Sequence, residues 1–169
     1  RRDFKQIVAA LKREFPEAPC ALRYDGPFQL LIATILSAQC TDERVNKVTA
    51  TLFASFPTAA DLARLPLKKL EKEIQSTGFF RNKAKSIQAC CQMLVERYDG
   101  VVPDSMEQLV EFPGVGRKTA NVVLGTAFGI AVGVVVDTHV SRIAGRRGLT
   151  TESSPEKIER DLMAILPKA

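Results

Sequence analysis

The run Pro27-Phe28-Gln29-Leu30-Leu31-Ile32-Ala33-Thr34-Ile35-Leu36 is the strongest constraint on what this chain can fold into. Proline suits a first helical position, and the helix it opens is apolar on nearly every side. Such a helix has no face to offer water, so other elements must wrap it. The remaining chain supplies amphipathic helices for that purpose. Asp3 can cap a helix carrying Phe4, Ile7, Val8, Leu11 and Phe15 on one face. Thr41 or Asp42 caps another with Val45, Val48, Leu52, Phe53 and Phe56 at helical spacing. Short helices are predicted near 59–65 and 67–76, the latter stopped by Gly78. Asn82 can cap a longer helix with Ile87, Cys91, Leu94, Val95 and Tyr98, ended by Asp99-Gly100. Asp104-x-x-Glu107 resembles a capping box for a helix ending at Phe112, and a further helix is predicted over about 117–128. Asp137 caps one through Gly145, and Ser154-Pro155 opens the last, with Ile158, Leu162 and Ile165 inward. Residues 130–136 are β-prone but find no partner strand, so they read as a buried extended connector. About ten helices and no convincing sheet make the expected class all-α.

Charge placement narrows the partner. The 169 residues carry 24 Lys and Arg against 19 Asp and Glu, a net charge of +5. Residues 76–86 hold Arg81, Lys83 and Lys85 with no acid. Residues 112–149 hold Arg117, Lys118, Arg142, Arg146 and Arg147 against Asp137 alone. Two basic segments on an otherwise slightly acidic chain point to a localised polyanion site. Chance clustering on solvated helix faces is the alternative that charge alone leaves open. No apolar run reaches the roughly 18–20 residues of a membrane span, and Gly133 breaks the longest. Residues 1–15 read as an amphipathic helix rather than a signal peptide. Cys20, Cys40, Cys90 and Cys91 form no C-x-x-C pair, so free thiols in a reducing compartment are expected, and no metal site within these residues.

The chemistry-bearing segment is Phe112-Pro113-Gly114-Val115-Gly116-Arg117-Lys118-Thr119-Ala120, a tight Pro-Gly-x-Gly turn between two helices. A dinucleotide-binding fingerprint needs a glycine where Thr119 stands and a strand before Gly114, and a Walker loop needs glycine where Arg117 stands. What remains is a helix-hairpin-helix. Its glycines let backbone approach a phosphate, and amides opening the second helix point at it. Such a turn grips nucleic-acid backbone without reading sequence, and Gly114, Val115, Gly116 and Arg117 are the expected contacts.

This segment, with Asn121-Val122-Val123 and Val136-Asp137-Thr138-His139-Val140-x-Arg142, closely resembles the endonuclease III family of helix-hairpin-helix DNA glycosylases and AP lyases. Leu36-Ser37-Ala38-Gln39-x-Thr41-Asp42-x-x-Val45-Asn46-Lys47 and Gly78-Phe79-Phe80-Arg81-Asn82-Lys83-Ala84 are also similar to it, in order and with compatible spacing. The resemblance implies a two-lobed fold. A six-helix barrel lobe would span 20–131, with the hairpin at about 104–128, and a second lobe would combine 1–19 with 132–169.

It also implies a base-excision-repair reaction. An oxidised pyrimidine is flipped out of duplex DNA, its N-glycosidic bond is cut, and the strand is nicked by β-elimination through a lysine Schiff base. Lys118 matches the nucleophile, and partial burial beside Arg117 at a helix start would favour its neutral amine. Asp137 matches the carboxylate that stabilises oxocarbenium-like charge and helps manage the lysine proton. Gln39 and Phe79 match the wedge and gap-filling residues, although Phe80 could exchange roles with Phe79. Arg81, Lys83 and Lys85 then read as phosphate contacts, with Arg142, Arg146 and Arg147 on the other lobe. His139 reads as a structural helix residue.

One departure stands out. The family holds a [4Fe-4S] cluster through C-terminal cysteines spaced C-x₆-C-x₂-C-x₅-C, which this chain lacks. It stops at Leu166-Pro167-Lys168-Ala169 and starts without Met, so a fragment is expected, with the cluster present only if a C-terminal segment follows. Weaker DNA binding and lower stability are expected of it. The implied partner is double-stranded DNA bearing damaged pyrimidines or abasic sites, bound by a monomer, with no membrane. The location would be cytoplasmic in a bacterium, nuclear or mitochondrial in a eukaryote. A non-catalytic DNA-binding hairpin module would need neither Lys118 nor Asp137, and a monofunctional mismatch glycosylase would not need the lysine.

Overall fold

The computed structural model describes residues 2–16 and 20–166, with the side chains of residues 2–5 left out. Asp3 and Phe4, expected as cap and face residues of the first helix, therefore lie outside the described side chains. Ten α-helices and no strand occur among the described residues, in agreement with the all-α expectation.

The apolar helix α2 (Pro27–Leu36) is central. Gly26 lies just before it, Pro27 opens it, and Leu30 through Leu36 are all buried. Its one buried hydroxyl, Thr34, donates to Leu30 O at 2.7 Å, so no polar group is stranded by that burial. Around it pack α3 (Asp42–Ser55), α4 (Ala59–Arg64), α5 (Leu67–Glu73), a 3₁₀ turn (Gln75–Thr77), α6 (Phe80–Tyr98), α7 (Met106–Leu109) and α8 (Arg117–Ala127). Together they bury one apolar cluster running from Leu22 to Leu124. Fully burying each of its Leu and Ile side chains contributes roughly 1.5–3 kcal/mol.

A second, separate cluster joins α9 (Thr138–Arg146) to α10 (Pro155–Ile165) through Val136, Ala144, Ile158 and Leu162. Helix α1 (Arg2–Glu14) is less covered: Ile7 and Val8 are half-buried, while Leu11 and Phe15 lie exposed.

Several local expectations hold and several do not. Thr41 caps α3, Asp137 caps α9 and Ser154 caps α10, each accepting a backbone N–H from the first turn. Asn82 does not cap α6. The chain enters that helix through Phe79, whose carbonyl accepts the N–H groups of Asn82 and Lys83, so the helix begins at Phe80. Ser105 rather than Asp104 caps α7, which ends at Leu109 instead of Phe112. The connector 130–136 is not the buried strip its apolarity suggests. Ala131 and Val132 face solvent, and only Val136 is fully buried.

Candidate functional site

The hairpin turn is shaped by what lies beneath it. Gly114 has a φ of +80°, and a Cβ there would come within 2.8 Å of Ser86 Cβ on α6, so neither the backbone conformation nor the space admits a side chain. Val115 anchors the turn from inside: its side chain is buried and its N–H is donated to Phe112 O at 3.0 Å. Side chain and amide are thus both engaged internally, which leaves neither free for a phosphate in this arrangement. Gly116 then precedes α8 with no side-chain cap. The amides of the first turn, the positive end of the helix, are therefore left to an anion.

Lys118 stands in that first turn, and its side chain is exposed rather than partly buried as expected. Across from it, Asp137 accepts Val140 N–H at Oδ1 (2.8 Å) while capping α9. The Asp137 carboxyl is held below its ordinary range chiefly by that backbone bond, against the opposing effect of burial, and further by the charges of Lys118 and His139. Lys118 and Asp137 form no ion pair within 4 Å, yet the Lys118 charge still acts on the Asp137 carboxyl. An anion stabilised in this way is a weak base, so Asp137 suits electrostatic stabilisation better than proton abstraction. Its low folded pKa means the charge adds stability above the unfolded carboxylate range, a contribution lost as pH falls through the folded value. Asp137→Ala is expected to cost about 1 kcal/mol at neutral pH. In urea melts, the gap from wild type should narrow toward pH 3.

Beneath Lys118 lies a polar knot that the sequence patterns do not single out. Glu159 on α10 is buried; its Oε2 accepts Arg117 Nε at 2.6 Å, and its Oε1 accepts Asn121 Nδ2 at 2.8 Å and Val134 N at 3.3 Å. This ties the start of α8 to the connector and to α10. Arg117, expected on phosphate, is thereby occupied at Nε, although half of its side chain remains exposed and other guanidinium donors remain. Gly133 leaves room for this knot, since a Cβ would overlap Glu159 Oε1 and the Asn121 amide. The sequence signal was present in the placement of Glu159 beside Ile158 and three residues before Leu162, on the buried side of α10. A cleft of about 280 Å³ opens beside the knot, lined by Gly116, Lys118, Asn121, Val136, Pro155 and Glu159 among others. A larger cavity of about 770 Å³, between the chain entering α2 and helix α3, contains none of the candidate residues.

The two expected wedge residues share a backbone peculiarity. Gln39 (φ 52°) and Phe79 (φ 46°) both occupy the left-handed region, which costs a non-glycine residue about 1–2 kcal/mol. Both are exposed, Phe79 to 65%. Phe80 instead packs on the first cluster under the Arg81 guanidinium, 5.3 Å from its ring centroid. Arg81 and Lys85 are exposed. Lys83 is not, and its assignment as a phosphate contact is corrected: the residue is 6% exposed and its ammonium donates to Leu36 O (2.8 Å) and Thr77 O (2.7 Å). The signal was its place in the i, i+4, i+7, i+11 stripe with Ile87, Cys90 and Leu94, all buried. Arg142 is exposed and its Nη2 lies 3.1 Å from His139 Nδ1.

No group of three or more metal-binding side chains occurs among the described residues. Cys90 and Cys91 are buried at successive positions of α6, and burial pushes the Cys90 thiol up to about 12 and Cys91 higher still. With no third metal-binding side chain grouped with them among the described residues, they do not make up the four thiolates an iron-sulfur cluster needs. The cysteines present do not fit such a group. No helix among the described residues is long and apolar enough to cross a membrane.

Comparison with known proteins agrees with this geometry. Residues 32–168 match the model of the HhH-GPD superfamily of base excision DNA repair proteins. Endonuclease III of Synechocystis is 58% identical over 163 residues, covering 96% of this chain and 74% of that protein. Endonuclease III of Bacillus subtilis is 47% identical over 170 residues, covering 98% and 77%. A solved structure of a trapped endonuclease III–DNA covalent intermediate, an estranged-adenine complex, superposes with a TM-score of 0.93 at 46% identity, covering 98% of this chain and 78% of that one. With the hairpin and helical architecture in agreement, the chain belongs to the endonuclease III family of base-excision-repair DNA glycosylases and AP lyases.

Proposed function

We propose that this chain binds duplex DNA through the hairpin and removes oxidised pyrimidines with Lys118 as nucleophile and Asp137 as its electrostatic partner. The observation that carries this is the electrostatic coupling of Lys118, in the uncapped first turn of α8, to Asp137, the cap of α9, whose carboxyl the Lys118 charge helps keep ionised. The neutral Lys118 amine attacks C1′ of the extruded nucleotide, and the N-glycosidic bond breaks with its electron pair leaving on the base. The attached nitrogen loses one proton, and its lone pair then breaks the C1′–O4′ bond as O4′ takes up a proton, giving a protonated Schiff base. Abstraction of a C2′ proton then expels the 3′ phosphate by β-elimination. Asp137 stabilises the positive charge that develops on the sugar in the first step.

Gln39 and Phe79 fill the space left by the base, Arg81 and Arg142 grip phosphates on either side, and the amides around Gly114 and Gly116 hold a third. The division of labour follows a boundary near residue 131, supported by the two separate apolar clusters. The [4Fe-4S] cluster implied by the family would draw its ligands from outside these residues, and a cytoplasmic location on DNA follows from the bacterial relatives. Incubating the chain with abasic-site duplex and borohydride is expected to give a covalent protein–DNA adduct on a denaturing gel. Its absence, with DNA binding retained, would favour a binding module or a monofunctional glycosylase.

A further inference from the structure

Lys83 is a buried cation that the proposed chemistry does not use. It sits where two chain segments converge. Its ammonium bonds Leu36 O, the last residue of α2, three residues before Gln39. The same ammonium bonds Thr77 O, the last residue of the 3₁₀ turn, two residues before Phe79. The backbone N–H of Lys83 is donated to Phe79 O itself at 3.1 Å. One residue thus touches both segments that lead into the left-handed, exposed Gln39 and Phe79.

We propose that Lys83 is a positioning residue that clamps the Gln39 and Phe79 loops at a fixed separation, so that both enter the DNA stack together. This rests on the wedge role proposed for those two residues. The physical case is threefold. The carbonyls at the end of α2 lack intrahelical donors and form the negative pole of that helix, and a cation there satisfies them. The left-handed corners at Gln39 and Phe79 are strained and persist only where neighbouring structure over-determines them. Burying an ammonium is costly, and an apolar side chain of similar length would fill the same space without that cost. Burial correspondingly depresses the Lys83 pKa, with Cys40, the residue after Gln39, acting in the opposite direction. A charge retained at such a place serves geometry more than stability.

The test uses Lys83→Met, with Lys83→Arg as the conservative rescue and Phe79→Ala as the wedge reference. In the DNA-free protein, Lys83→Met is expected to hasten backbone hydrogen exchange at both loops, residues 37–40 and 77–80, by about tenfold while leaving α4 unchanged. Acceleration at one loop only, or at neither, overturns the clamp. In single-turnover excision at saturating enzyme, Lys83→Met and Phe79→Ala are each expected to slow removal of an oxidised pyrimidine paired with a purine by about tenfold. The same lesion in an unpaired bubble should change less than about twofold, because no stack needs opening. Lys83→Arg should restore most of the paired-substrate rate. Equal slowing of paired and bubble substrates by Lys83→Met marks a merely structural role and overturns the proposal. If Phe79→Ala itself leaves the paired-to-bubble ratio unchanged, the wedge reading fails, and hydrogen exchange still decides the clamp. Should Lys83→Met not fold, Lys83→Gln, which keeps one donor, is measured by the same criteria.

Discussion

Lys118→Ala is expected to abolish the borohydride-trapped adduct with abasic DNA and to slow strand nicking on the order of 10⁴-fold or more. The size of the effect follows from the chemistry. A Schiff base requires an amine on the protein, and alanine offers none. Two features keep the interpretation clean. The Lys118 side chain is exposed and makes no hydrogen bond among the described residues, so its truncation should change stability by less than about 0.5 kcal/mol. The hairpin amides remain, so binding to abasic duplex should weaken far less than the reaction slows. An adduct at the wild-type level in Lys118→Ala would transfer the nucleophile's role to another amine.

Gly133→Ala carries the second large effect, on stability. A methyl group there collides with a carboxylate, that of Glu159, whose withdrawal would break its bonds to Arg117 on one oxygen and to Asn121 and Val134 on the other. The Asn121 amide also lies in the path of the methyl group, and its Oδ1 is already buried with no hydrogen-bond partner among the described residues. Overpacking and the disruption of a buried charge add, and a loss of about 3 kcal/mol or more is expected in urea denaturation. Gly125→Ala on α8 is the control: a Cβ there meets nothing within 4 Å, so the helix should gain up to about 1 kcal/mol. A small effect at Gly133 would mean that the knot relaxes easily and does not fix the first turn of α8.

What could be read from the sequence was whatever depended on local rules. The burial of α2 follows from an apolar run that leaves no polar side, and the caps at Thr41, Asp137 and Ser154 follow from short side chains placed one residue before a periodic stretch. The hairpin follows from Gly114 and Gly116, whose backbone freedom is a property of the residue itself. Reading failed where a charge was classified by its type rather than by its place in a helical stripe. Lys83, expected on a phosphate, and Glu159, which no motif marks, each lie in line with buried apolar neighbours and find partners on segments distant in sequence. The connector 130–136 failed for the opposite reason. Its apolar residues imply burial, but only one side of that stretch meets α8 and α10. Lys118 was expected to be partly covered, and no local rule could reveal that the first turn of α8 faces an open cleft.

The unequal size of the two apolar clusters has a consequence for how the molecule fails when warmed. Helices α9 and α10 are held together by four fully buried apolar side chains, whereas the cluster around α2 extends over most of the preceding chain. Partial opening therefore concentrates in the smaller unit, which can separate as a cooperative piece while the larger remains folded. That opening carries Asp137 away from Lys118 but leaves the hairpin intact. On the roles proposed for these residues, molecules that still hold DNA yet no longer cut it are expected to accumulate below the melting temperature of the main core.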